Sequence, residues 1–104
     1  MGYYTKYQLE VDDEQPLQDD ASWKLVYPQV EELLFRDYVA TLKWYDHKAD
    51  MIQMSERFPS ITFTLSGVGE EITMEDCDVW IKTFKGGKMI RSQKCEITFK
   101  DVIL

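Results

Sequence analysis

The chain has one histidine, two cysteines, five glycines and three prolines, and each shortage removes a class of function. Cys77 and Cys95 are too few and too far apart in sequence for a zinc site or a disulfide framework. Both are expected to be small apolar residues in a reducing compartment. The single histidine, His47, has no Ser or Cys partner identifiable by spacing, and no G-x-S-x-G elbow occurs. Nothing singles out a pair of acids for glycoside chemistry. Gly67-Val68-Gly69 lacks the third glycine of a dinucleotide fingerprint. No apolar run approaches the roughly 20 residues that span a bilayer. The start, MGYYTKYQLEV, has no basic region leading into an apolar one, so no signal peptide is expected. Lys6 stands where a myristoylation signal wants Ser or Thr. Repeats, low-complexity tracts and Gly/Ser linkers are absent, so one soluble, cytoplasmic domain over residues 1–104 is expected, without metal or cofactor.

What is present is a core-former's composition, 44% hydrophobic and 13% aromatic, with acid in excess. The net charge of -7 is unevenly spread. Residues 1–81 carry 17 acidic and 6 basic side chains, or -11, whereas residues 82–104 carry 2 acidic and 6 basic, or +4. An acidic body repels nucleic acid and is steered toward basic surfaces.

Residues 3–11 alternate, with Tyr3, Thr5, Tyr7 and Leu9 on one face, which predicts a strand. Residues 12–20 read as a polar loop, with a helix starting near Asp19 or Asp20 and limited by Pro28. A turn of helix is expected over 31–33, then a strand over about 36–44 with Tyr38, Ala40, Leu42 and Trp44 buried. From Asp46 the period becomes helical: Met51, Met54 and Phe58 form a stripe widened by Ile52 and Ser55, and Pro59 stops it. Residues 60–67 alternate again, with Ile61, Phe63 and Leu65 inward, and 67–76 read as an acidic loop. Gly86-Gly87 is a two-residue hairpin turn. Its simplest register sets Phe84 against Met89, Lys82 against Arg91, Trp80 against Gln93 and Cys95 against Asp78, which separates the two thiols. The sum is an α+β two-layer sandwich of a mostly antiparallel sheet and two helices, a ferredoxin-like variant.

Four clusters are candidate sites. Asp46, His47 and Asp50 form an acid–histidine group, but a metal wants at least three protein ligands. The simpler reading is that Asp46 caps a helix, Asp50 complements its dipole, and His47 is kept neutral by the positive helix end. Glu70, Glu71, Glu75, Asp76 and Asp78 form an acidic run suited to a basic partner. They lack the spacing of an EF-hand. Tyr4 and Trp23, with Tyr3, Tyr7 and Tyr27, supply aromatics beyond what so small a core needs, and such residues anchor interfaces. Lys82, Lys85, Lys88 and Arg91 crowd the hairpin as a basic patch that would serve a nucleic-acid binder.

Residues 42–89, through LKWYDHKADMIQMSERFPSITFTLSGVGEE and DVWIKTFKGGKM, resemble a block in small proteins of bacteria and their phages. That family carries a Trp-Tyr-Asp-His helix start, a Phe-Pro stop, a Gly-x-Gly-Glu-Glu loop and a Trp-containing hairpin. ITMEDC is longer here than in that block. The resemblance implies a mobile-element origin and no catalytic residues. The expected function is a non-catalytic interaction protein that binds a host protein, blocking a basic nucleic-acid-binding surface in the manner of anti-defence proteins. The alternatives are a small metal-dependent or hydrolytic enzyme centred on His47, and a nucleic-acid binder using the hairpin. Oligomeric state is open, a homodimer through an edge strand included.

Overall fold

A computed structural model describes residues 4–36, 38–72 and 77–94, with backbone alone for 70–72 and 77. Among the described residues five strands form one antiparallel sheet in the order β2-β1-β3-β4-β5. They are β1 (Thr5–Val11), β2 (Val39–Leu42), β3 (Phe63–Ile72), β4 (Cys77–Lys85) and β5 (Lys88–Lys94). Helices α1 (Gln15–Asp19), α2 (Pro28–Glu31) and α3 (His47–Arg57) complete the α+β fold. α2 continues in wider turns through Glu32–Arg36. β2 and β3 both flank β1, so the connection through α3 is a split crossover, the unit on which ferredoxin-like folds are built. β3, β4 and β5 then add a meander. No described helix is long and apolar enough to cross a membrane.

Pairing sorts the side chains into rows. Ala40, Tyr7, Gly67, Trp80 and Lys94 lie across one level of the sheet, and Leu9, Leu65 and Lys82 across the next. Val11, Phe63, Phe84 and Met89 form a third. Directly paired residues share a face, so these rows are the inner face. α3 covers it with Met51, Met54, Ser55 and Phe58, as its stripe requires. Phe58 sits at φ -123° and ψ 72°, already outside the α region ahead of Pro59. Gly86 and Gly87 take φ of 60° and 80° at the hairpin turn, as a two-residue turn demands. The Ser55 hydroxyl accepts the Gly87 N–H at 3.0 Å and pins that turn to α3.

Several expectations are corrected. The polar run 12–20 contains α1, anchored by the fully buried Leu17. Pro28 opens α2, where its missing N–H costs nothing. β2 is shorter than expected, because Tyr38 turns into the left-handed region at φ 61° and lies exposed. Trp23, Tyr7 and Tyr27 are core residues, so only Tyr4 among the described aromatics named for docking is exposed. Tyr3 lies outside the described residues. The glycines of 67–69 belong to β3, which runs on through Glu70 and Glu71 to pair Ile72 with Cys77. Residues 73–76 lie outside the described residues, Glu75 and Asp76 among them, as does Cys95. In the hairpin, Phe84 does face Met89, but Ile90 is an extra residue, and beyond it Thr83 faces Arg91, Lys82 faces Ser92 and Trp80 faces Lys94. That bulge moves Arg91 to the opposite face from Lys82 and relieves the opposed like charges.

Candidate functional site

The residues that converge come from four elements. Gly67 faces Tyr7 on one side and Trp80 on the other. Having no side chain, it leaves room for the Trp80 indole to lie across it: a Cβ there would stand 2.3 Å from Trp80 Cζ2. Onto Trp80 the first turn of α3 lays His47, stacked at 4.9 Å and 19°. Tyr7 meets Trp44 and Trp80 edge-on, at 67° and 68°, and Trp44 meets His47 at 68°. Tyr7 and Trp44, set steeply to that stacked pair, flank it. With Tyr45 they enclose an open pocket of about 190 Å³, closed by Thr5 and Asp78. A larger depression of about 490 Å³ beside α2 mixes charges of both signs and no convergent chemistry.

Hydrogen bonds fix these rings. The Tyr7 hydroxyl donates to the Trp44 carbonyl at 3.0 Å, and His47 Nδ1–H donates to the same oxygen at 3.1 Å. A carbonyl only accepts, so Nδ1 carries the proton and Nε2 is the acceptor. Nε2 receives the Lys82 ammonium at 2.8 Å, and Lys82 Nζ also lies 4.5 Å over the Trp80 ring. The Trp44 indole N–H donates to Asp50 Oδ2 at 2.7 Å.

Burial first, then the Lys82 charge, hold the imidazole below its ordinary 6.5, opposed by the Trp44 carbonyl and Asp50. Burial first, then Lys48, lower the Lys82 ammonium, opposed by Asp78. Burial, reinforced by Asp78 and opposed by a hydrogen bond with Thr5, raises the Tyr7 phenol. The neutral imidazole anticipated from the helix end is therefore present, with a different main cause. An unfolded chain protonates His47 near pH 6.5, and the folded chain does so only lower. Between those values the folded state binds fewer protons. Its stability is therefore complete above pH 6.5 and is lost as pH falls toward the folded value. Urea unfolding across that window should show this slope, and His47→Gln should flatten it.

Asp46 precedes α3 but its side chain makes no capping hydrogen bond. The acid that matters is Asp50, through Trp44. Asp46→Ala should therefore cost less than about 0.5 kcal/mol. Asp50→Ala, which leaves the buried Trp44 N–H unpaired, should cost about 1–3 kcal/mol. Denaturant midpoints of the two variants check the ranking.

Of the acidic run, Asp78 lines the pocket, and the side chains of Glu70, Glu71, Glu75 and Asp76 lie outside the described residues. Tyr4 is exposed beneath the Lys43 ammonium, at 4.7 Å. The basic hairpin patch is not one surface: Lys82 turns inward to His47, Lys85 and Lys88 pair beside the turn, and Arg91 lies on the outer face. Among the described residues no group of three His, Cys, Asp or Glu side chains could hold a metal.

No family model, curated protein or solved structure matches the chain. The site speaks only through its own geometry. Sequence reasoning singled out His47 and Asp78 but missed Tyr7, Trp44, Tyr45, Trp80 and Lys82 as its surroundings. The one local signal was the pair of glycines two apart, which falls on a single face of a strand and hollows it.

Proposed function

We propose that this protein is a non-catalytic interaction protein that docks a basic partner on the face bearing the His47 pocket. The observation that carries the reading is an aromatic-walled pocket with Asp78 at its margin, in a chain whose first 81 residues carry -11. Tyrosine and tryptophan side chains anchor interfaces, and an acidic surface draws a basic partner over long range. The resemblance to mobile-element proteins makes that partner a host protein, met in the host cytoplasm, whose basic nucleic-acid-binding groove is occupied.

The Lys82–His47 pair is the specific observation that favours an enzyme instead, since perturbed titrating groups in a pocket mark catalytic sites. Binding is the better reading because a general base needs a lone pair for its substrate. Here Nε2 accepts from Lys82 and Nδ1 is committed to Trp44. The nucleic-acid reading is weaker, because Lys82 is turned away from the rest of its patch.

Titration with a lysine-rich peptide tests the proposal. Binding should occur, weaken with salt and weaken further in Asp78→Lys. No binding, or binding indifferent to both, would overturn it, and preferential binding of single-stranded DNA would favour the hairpin reading.

A further inference from the structure

The sheet has a second face, turned away from α3 and from the His47 pocket, and among the described residues the buried core takes nothing from it. Three levels cross that face. Lys6 and Val68 share the first, Val39, Gln8 and Ile81 the second, and Glu10 and Arg91 the third. Val68 pairs with Val79, and Ile81 follows two residues along, so apolar side chains adjoin. Val39, Val68 and Ile81 stand 40%, 37% and 37% exposed, and apolar surface left open in this way marks an interaction site. We infer that this face stacks on the same face of a second copy of the chain, in a two-fold dimer where Lys6 of each copy meets Glu10 of the other.

Charge selects the occupant. The first 81 residues carry -11, so most approaches of one copy to another are repelled. Across the three levels the only acid is Glu10, set against Lys6 and Arg91. Two copies can therefore meet here, whereas a basic partner is drawn to the acidic surface elsewhere.

Register supplies the pairing. Lys6 and Glu10 lie on β1 two residues either side of Gln8. Let two copies face each other about an axis that crosses the strands at the level of Gln8. The Lys6 level of each then lies over the Glu10 level of the other, and the Gln8 level closes on itself. Both Lys6–Glu10 pairs form together, as an isologous interface requires. Stacked sheets stay about 10 Å apart and within about 30° of alignment, a gap that a lysine and a glutamate bridge between them. A depression of about 290 Å³ lined by Lys6, Gln8, Val39, Ser66 and Val68 seats Glu10 of the other copy beside Lys6. An axis running along β1 instead would set Lys6 against Lys6 and Glu10 against Glu10, which like-charge repulsion opposes.

Sedimentation equilibrium of the intact protein should show a reversible monomer–dimer equilibrium. Lys6→Glu or Glu10→Lys alone places like charges opposite each other twice, and each should weaken dimerisation at least about tenfold. Both side chains are exposed, so the far-ultraviolet circular dichroism of the variants should stay that of the parent chain. An equimolar mixture of the two variants should form a heterodimer, because every pair then joins a glutamate to a lysine. The double variant Lys6→Glu/Glu10→Lys should recover the homodimer for the same reason. A chain monomeric even at millimolar concentration would overturn the inference. So would single variants that dimerise undiminished, which would point to the free edge of β2, and so would a mixture or a double variant that stays monomeric.

Discussion

Replacing Trp23 with alanine should remove about 3–5 kcal/mol of stability, a large share of the roughly 5–15 kcal/mol that holds a domain folded. Trp23 is fully buried, in the short helical turn Ser22–Leu25. Its ring lies 6.0 Å from that of Phe35, and its indole N–H donates to the Leu17 carbonyl at 3.0 Å. One side chain thus ties α1 to the segment beyond α2. Trp23→Phe keeps most of the apolar volume and loses that bond, so it should cost about 1 kcal/mol. Were Trp23 an interface anchor, as its sequence context implied, alanine would leave the denaturation midpoint unchanged and weaken only partner binding. Urea denaturation of both variants distinguishes the two roles.

Gly67→Ala should be the second most damaging change. Gly67 needs no unusual backbone conformation; it needs space. The added Cβ would stand 2.3 Å from Trp80 Cζ2 and 2.4 Å from Cε2, so the indole has to leave its seat. Overpacking of this kind costs about 1–3 kcal/mol, and a domain of this size loses about 4–8 °C in Tm per kcal/mol. The displaced Trp80 would also forfeit its stack with His47 and its contact with Lys82. Stability and ligand binding should therefore fall together. In a Trp80→Leu background the same substitution should cost distinctly less, and that non-additivity shows that the glycine acts through Trp80.

How much of this was legible depends on whether the signal is local. β1, the first half of β3, the stripe of α3 and the Gly86-Gly87 turn follow from period or turn chemistry within a few residues, and the structure has them. The 12–35 region is not legible because its apolar residues keep neither a helix nor a strand period. Leu17, Trp23 and Val30 are buried by distant contacts, and no periodicity marks them. β3 was cut short because two glycines look like a loop, whereas in the sheet they make room for Trp80. The bulge at Ile90 has no sequence signature, yet it decides which face Arg91 occupies. In the site, His47 stood out as the lone histidine, but Lys82 lies 35 residues away in sequence. Asp50 was read as a partner of the helix dipole, and its nearer partner is the Trp44 indole. Long-range pairings carry no spacing, so a chain read by itself shows the participants without the arrangement.

The central claim is that a basic ligand docks on the face whose pocket Trp44 and Trp80 line. The three tryptophans provide the test, since each contributes one indole N–H resonance and Trp23, fully buried in the core, serves as an internal control. On titration with the lysine-rich peptide followed by proton–nitrogen correlation spectra, the Trp44 and Trp80 indole resonances should shift in a saturable way while Trp23 stays in place. Stationary Trp44 and Trp80 signals, or shifts confined to the Gly86 and Gly87 amides of the hairpin turn, would contradict the account.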